Sequence, residues 1–150
     1  MFFKKRLLSA SDDARLIKAI QLAEAKTSGE IRVHIEKTCK GDALEECKKH
    51  FAKLNMHQTK DRNGILFFLA IGSKSFAVWG DEGIHQKVSD VFWKSITDCA
   101  ISYFKQNDYV TGIEKAIELC GEKLKLHFPV EADDKNELPE DIVFGHDEIK

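Results

Sequence analysis

The sequence predicts an α/β fold, a three-layer α-β-α sandwich around a small mixed sheet, and three observations carry that expectation. Residues 31–35 alternate apolar and polar, and residues 64–71 form an unbroken apolar run, with a helical stripe between them. That order is a β-α-β unit, whose crossover is right-handed in about 98% of cases and makes its two strands parallel. A second short strand, 76–79, follows the run across a tight turn and adds an antiparallel hairpin partner. Amphipathic stripes before and after the strands then supply helices for both faces.

In chain order, Ser9-Ala10-Ser11-Asp12 fits a capping box, in which a serine oxygen takes one of the orphan N–H groups of a helix start. Leu16, Ile17, Ile20 and Ala23 recur at helical spacing behind it. The helix is expected to stop at Thr27-Ser28-Gly29, with the glycine in the left-handed conformation. Ile31, Val33 and Ile35 alternate with Arg32, His34 and Glu36, which predicts a strand with one buried face. Asp42 caps a second helix with the stripe Leu44, Cys47, Phe51 and Leu54. A polar loop, 55–63, leads into the apolar run Gly64 to Ile71, too short for a typical helix and read as a strand buried on both faces. Gly72-Ser73-Lys74 turns the chain into Phe76 to Trp79, and Gly80-Asp81-Glu82-Gly83 ends that strand. A short helical turn follows near Ile84 to Val88, then a helix through Phe92, Ile96, Cys99 and Tyr103. A last stripe comprises Val110, Ile113, Ile117, Cys120 and Leu124, closed by Pro129, which cannot continue the ladder.

Length and charge narrow the function classes. A chain of 150 residues buries its own core without staples. The net charge of −2 conceals an asymmetry: residues 130–150 hold eight acids against Lys135 and Lys150, leaving +4 on the first 129. Neither part approaches the isoelectric point above about 9 expected of a nucleic-acid binder. The tail composition predicts a mobile segment, although Ile142 and Phe144 could dock. Residues 1–7 read as an extension whose Lys4-Lys5-Arg6 is a fraying terminus. They precede no signal-peptide-like apolar stretch, and no run reaches the ~20 residues of a membrane helix, so the expected location is the cytoplasm. Cys39, Cys47, Cys99 and Cys120 lack CxxC spacing; the last three fall on apolar helix faces and are expected as reduced core residues.

The topology also makes a geometric prediction. Glu30 starts the first strand, Arg62 and Asn63 precede the second, and Asp81 follows the third, which runs the opposite way. The start of an up-strand and the end of a down-strand share one edge of a sheet, so these four polar residues should gather there. Gly29, Gly64, Gly80 and Gly83 flank them and permit close backbone approach.

The residues that carry this convergence also carry a family likeness. Thr27-Ser28-Gly29-Glu30-Ile31-Arg32-Val33, Arg62-Asn63-Gly64-Ile65-Leu66 and Gly80-Asp81-Glu82-Gly83-Ile84 resemble the three signature segments of the TPM domain. Leu8-Ser9 with Asp12 and Arg15, and Gly121-Glu122-Lys123-Leu124 with His127-Phe128-Pro129, resemble its ends, so the likeness covers residues 8–129. The resemblance implies an α/β sandwich. It further implies a fold in which some members bind calcium or other divalent cations, and in which a plant thylakoid-lumen relative is described as an acid phosphatase. Many members carry an export signal, a membrane helix and a glycine-rich tail, features that this sequence does not display.

Carboxylates and amide oxygens are hard ligands suited to Ca²⁺ or Mg²⁺. Glu30, Asn63 and Asp81, with Asp61 or Glu82 and backbone carbonyls from the glycine turns, could supply several of the ~6–8 oxygens calcium takes. A purely structural alternative has Asp81 capping the next helix and Glu30 pairing with Arg62. An enzyme reading makes the same edge a metal-assisted phosphatase, with Arg62 stabilising charge and Asp81 positioning water. A third reading is a protein-interaction module using the glycine loops and acidic tail. His34, His50, His57 and His85 form no HExxH or cysteine-paired zinc pattern and are expected as surface or half-buried residues, His85 being an outside candidate beside the site. Trp79 and Trp93 are expected in the core.

Overall fold

The computed structural model describes residues 8–130 and, as backbone, 142–144. The readings made for residues 1–7 and for most of the acidic tail lie outside the described residues.

Helix α1 (Ala10–Glu24) begins where the sequence places it, with Ser9 Oγ accepting the Asp12 N–H at 3.1 Å. It buries Leu16, Ala19, Ile20 and Ala23. Its end departs from expectation, because no described glycine has a positive φ. Gly29 is needed for space instead: a Cβ there would sit 3.0 Å from Leu124 Cδ1 and 3.3 Å from the Asn63 carbonyl oxygen. The left-handed conformation falls to Asn55, Arg62, Lys74 and Asn107.

Strand β1 (Glu30–Glu36) runs parallel to β2 (Gly64–Ala70), in register from Glu30 opposite Gly64 to Glu36 opposite Ala70. Helix α2 (Ala43–Lys53), capped by Asp42 on the Glu45 N–H at 3.0 Å, is the crossover between them. Strand β3 (Ser75–Gly80) pairs antiparallel with β2, placing Gly80 opposite Ile65. Then come α3 (Glu82–His85), α4 (Asp90–Phe104) and α5 (Tyr109–His127), where Asp108 accepts the Thr111 N–H at 3.2 Å. A fourth strand, β4 (Ile142–Phe144), lies parallel to β1 on its outer side, giving the order β3-β2-β1-β4. Three residues of the tail thus belong to the sheet. They cover an edge that would otherwise present unpaired N–H and C=O groups.

The two faces of the sheet bury different sets. Ile31, Val33, Ile35, Ile65, Phe67 and Leu69 pack with residues of α1, α4 and α5. Leu66, Phe68 and Ala70 pack with Cys47, Phe51 and Met56 from α2 and the turn after it. Every residue of β2 is buried, as its unbroken apolar run predicts. Full burial of Phe67 alone contributes about 1.5–3 kcal/mol. Strand β1 departs from the prediction of one buried face, since Arg32 and His34 are only 3% and 4% exposed. The polar face of β1 is covered rather than solvated.

Two glycines fix the close approach of the last helices. A Cβ at Gly121 would lie 2.8 Å from Ala23 Cβ, and one at Gly112 2.5 Å from the Phe104 ring. Each glycine costs a helix interior about 1 kcal/mol, which the α1–α5 and α4–α5 contacts must offset. All four cysteines are free; Cys47 and Cys120 are buried, whereas Cys99 is only half-buried, short of the core position expected for it. Trp79 and Trp93 are likewise half-buried, with the exposed His85 ring between them at centroid distances of 4.7 and 5.0 Å. Among the described residues, no helix is long and apolar enough to cross a membrane.

Candidate functional site

The predicted convergence is present in the backbone. Glu30 pairs opposite Gly64, and its N–H donates to the Asn63 carbonyl at 3.3 Å. The Asp81 N–H donates to the Gly64 carbonyl at 2.9 Å, which brings the end of β3 to the starts of β1 and β2. Asn63 is anchored twice: its N–H reaches Thr59 Oγ1 at 3.2 Å, and its Nδ2 donates to Ser28 Oγ at 3.2 Å. Glu30, Asn63 and Asp81 are all buried, while Asp61 and Glu82 are exposed on the adjoining turns.

Arg62 organises the edge. Its φ of 50° is a conformation that non-glycine residues rarely adopt, and its side chain reaches Asp81. The guanidinium grips that carboxylate with both prongs, Nε to Oδ2 at 2.7 Å and Nη2 to Oδ1 at 2.8 Å. A third nitrogen, Nη1, reaches Glu82 at 3.2 Å. Asp81 Oδ1 also accepts the Glu82 N–H at 2.8 Å, capping α3. The structural alternative is therefore half right: Asp81 caps the helix, but it is Asp81 and Glu82 that take the guanidinium. The hydrogen bond to Asp81, with the charges of Asp81 and Glu82, raises the Arg62 pKa above its ordinary value. Gly83 seals the turn. Its N–H donates to the Arg62 carbonyl at 2.9 Å, and a Cβ would sit 2.2 Å from the Asp61 carbonyl oxygen.

Beside this edge opens a polar cleft of about 340 Å³, lined among others by Ser28, Asp61, Gly83, Gln86, Lys87 and His127. Its far wall is the end of α5, stitched to the 27–29 turn. Thr27 Oγ1 donates to the Phe128 carbonyl, the Ser28 N–H donates to the same oxygen at 2.9 Å, and Thr27 bridges to Pro129. Lys87 Nζ donates to the His127 carbonyl at 3.3 Å and lies over the Phe128 ring. Of the five residues named as metal ligands from sequence, only Asp61 lines the cleft; the buried three stand at the sheet edge behind it. Ser28 falls within the first signature segment, where the sequence offers it no paired base, whereas nothing in the local pattern around Lys87 distinguishes it.

A second polar cluster escaped sequence reasoning. His34 and Glu36 of β1 and His50 of α2 bring their donor atoms within 4.8 Å of one another. Burial lowers the His34 pKa against the hydrogen bond to Glu36, and lowers that of His50 with help from the neighbouring His34 charge. The expected surface or half-buried placement fails for His34, which is buried beneath His50 of α2. The available signal was the shared face of residues 34 and 36 and the i,i+4 pair Glu46–His50.

A small mixed-sheet α/β sandwich with a polar loop-edge site is the class of protein these features define. The TPM domain family model matches residues 2–123, and the chain belongs to that family. Among solved structures it is similar to the BA42 protein of the psychrophilic bacterium Bizionia argentinensis, with 39% identity, 97% of this chain and 100% of that chain covered, and a TM-score of 0.88. It shares its fold with the N-terminal domain of the cg2496 protein of Corynebacterium glutamicum, at 14% identity, 96% and 85% coverage and a TM-score of 0.64. No curated protein matched the sequence.

Proposed function

We propose that this TPM domain binds a hard divalent cation, Ca²⁺ or Mg²⁺, at the sheet edge. The carrying observation is the buried Asp81 carboxylate, held at the convergence of three chain segments by an arginine in a left-handed backbone conformation. Strain of this kind costs about 1–3 kcal/mol and concentrates at functional positions. Asp61 and Glu82 are the solvent-facing carboxylates that meet the ion first. Asp81, Asn63 and Glu30 form the inner set, and Arg62 acts as the counter-ion that the cation displaces from Asp81. Oxygen donors of this kind suit Ca²⁺ and Mg²⁺ rather than softer metals. Isothermal calorimetry of chelator-stripped protein should give saturable Ca²⁺ binding that the double variant Asp61→Asn/Glu82→Gln weakens at least tenfold. Binding indifferent to that change would remove the edge from consideration.

A phosphatase reading stands second, favoured by one observation: the Lys87 ammonium and the Ser28 hydroxyl line the same cleft as Asp61. A bound cation and Lys87 would together offset the charge of a phosphoryl group, with Asp61 or Asp81 positioning the attacking water. Turnover of a generic phosphate monoester by metal-saturated protein, lost in Lys87→Ala while cation binding persists, is the expected signature. Absence of turnover above that variant ends this reading without touching the first.

A further inference from the structure

We propose that His34, Glu36 and His50 form a second metal site, for a borderline cation of the Zn²⁺ type, on the α2 face of the sheet. Strand periodicity puts His34 and Glu36 on one face of β1, and α2 crosses that face so that His50 completes the set. Glu36 lies six residues along the strand from Glu30, about 20 Å away at strand rise, so this cluster is separate from the edge site.

The distances suit the chemistry. Glu36 Oε2 lies 2.8 Å from His34 Nε2 and 3.8 Å from His50 Nε2. Donors around a tetrahedral Zn²⁺ at about 2.0–2.1 Å are separated by about 3.3 Å, which those distances bracket. Glu46 Oε2, 3.9 Å from His50 Nε2, stands one turn away on α2 as a fourth donor or as the hydrogen-bond partner of a bound water. Side-chain exposure rises from 5% at His34 through 15% at Glu36 and 17% at His50 to 34% at Glu46, which describes a deep ligand with an entry path.

Ring packing brings the two imidazoles together in the metal-free protein. The two imidazoles stack at 3.9 Å with an interplanar angle of 21°, and the Phe68 ring lies against both at 5.9 and 5.6 Å. Aiming both lone pairs at one point requires the His50 ring to splay from this stack, and its partial exposure leaves it room to do so. Among the described residues, His34 Nδ1 is buried without a hydrogen-bond partner, and the polar anchor of that ring is Glu36, through the nitrogen the cation would take. A missing partner on the far nitrogen of a ligating histidine costs about 10–100-fold in affinity, so binding weaker than in a closed structural site is expected. Lys53 places positive charge near both imidazoles and Arg32 near that of His34, opposite in effect to Glu36 at both rings and to Glu46 at His50. Selection therefore comes from donor type: two imidazole nitrogens favour Zn²⁺, Co²⁺, Ni²⁺ or Cu²⁺ over Ca²⁺ and Mg²⁺.

The test is a Zn²⁺ titration of chelator-stripped full-length protein, read by calorimetry and by side-chain NMR of the imidazole nitrogens. One equivalent should bind, shifting His34 and His50 together while a tenfold excess of Mg²⁺ leaves them unmoved. His50→Gln and Glu36→Gln should each weaken binding at least tenfold, with the circular dichroism of the metal-free protein unchanged. His57→Gln and Cys39→Ser, which alter exposed or half-exposed donors elsewhere, should leave it intact. Binding that survives His50→Gln, that disappears in Cys39→Ser or His57→Gln, or that leaves the imidazole signals of the wild type in place overturns the proposal.

Discussion

Replacing Asp81 by alanine separates the structural share of the edge from its proposed binding role. The side chain supplies three hydrogen bonds, two from Arg62 at 2.7 and 2.8 Å and one from the Glu82 N–H at 2.8 Å. The helix-capping bond contributes about 1 kcal/mol. Bonds to charged groups reach about 1.5–3 kcal/mol, but the Arg62 side chain is 42% exposed and rehydrates when its partner is removed. The pair is accordingly assigned about 1–2 kcal/mol, and the variant about 2–3 kcal/mol in all. At about 2–4 °C per kcal/mol for a chain near this length, Tm should fall by about 4–12 °C. The assay is thermal and urea unfolding, followed by circular dichroism in excess chelator, with Asp81→Asn as an intermediate case that retains the capping acceptor. Asp81→Ala unfolding within 1 °C of wild type under those conditions would refute the reasoning. It would mean that the ion pair and cap contribute nothing, leaving Asp81 to be explained by a ligand alone. The expected loss carries a warning for binding studies: weakened cation affinity in Asp81→Ala reports a damaged edge as readily as a lost ligand, whereas Asp61 and Glu82 can be neutralised at less structural cost.

Other perturbations have equally definite outcomes. Gly83→Ala forces a Cβ to within 2.2 Å of the Asp61 carbonyl oxygen, and urea unfolding should show a loss of about 1–3 kcal/mol. Phe67→Ala opens the core beneath α1, α4 and α5 and should cost about 3–5 kcal/mol by the same assay. The His34 pKa is lowered in the folded state by burial, so its contribution to stability is present above the unfolded value of about 6.5 and is lost as pH falls through the lower folded value. Chemical denaturation at pH 7.5, 6.5 and 5.5 should show decreasing stability with acidification, and His34→Gln should flatten that slope. Thiol labelling should modify Cys39 first. Cys47, whose pKa burial pushes up to about 12, and the fully buried Cys120 should react only on unfolding.

Much of the fold was legible because it depends on local pattern. The apolar run 64–71 could bury only as a strand covered on both faces, and the placement of Glu30, Arg62, Asn63 and Asp81 at one edge followed from strand direction alone. What could not be read depended on contacts between distant segments. Arg62 pairs with Asp81 rather than Glu30 and takes a left-handed φ, neither of which its neighbouring residues signal. Strand β4 is three residues within an acidic segment, and its place beside β1 comes from an edge lacking a partner. Gly29 looked like a helix terminator, yet the space it leaves is taken by Leu124, nearly a hundred residues away. The His34–Glu36–His50 cluster was hidden in the same way. Strand periodicity marks a polar face for His34, and only the course of α2 turns that face into an interior.

The central claim, a hard-cation site at the sheet edge, is tested most directly by a backbone NMR titration of chelator-stripped protein with Ca²⁺ and then Mg²⁺. Saturable shifts should cluster at residues 28–31, 61–64 and 80–84 and vanish in Asp61→Asn/Glu82→Gln. Shifts confined to the acidic tail, or none at millimolar cation, would contradict the claim and leave the Arg62–Asp81 pair a purely structural clasp.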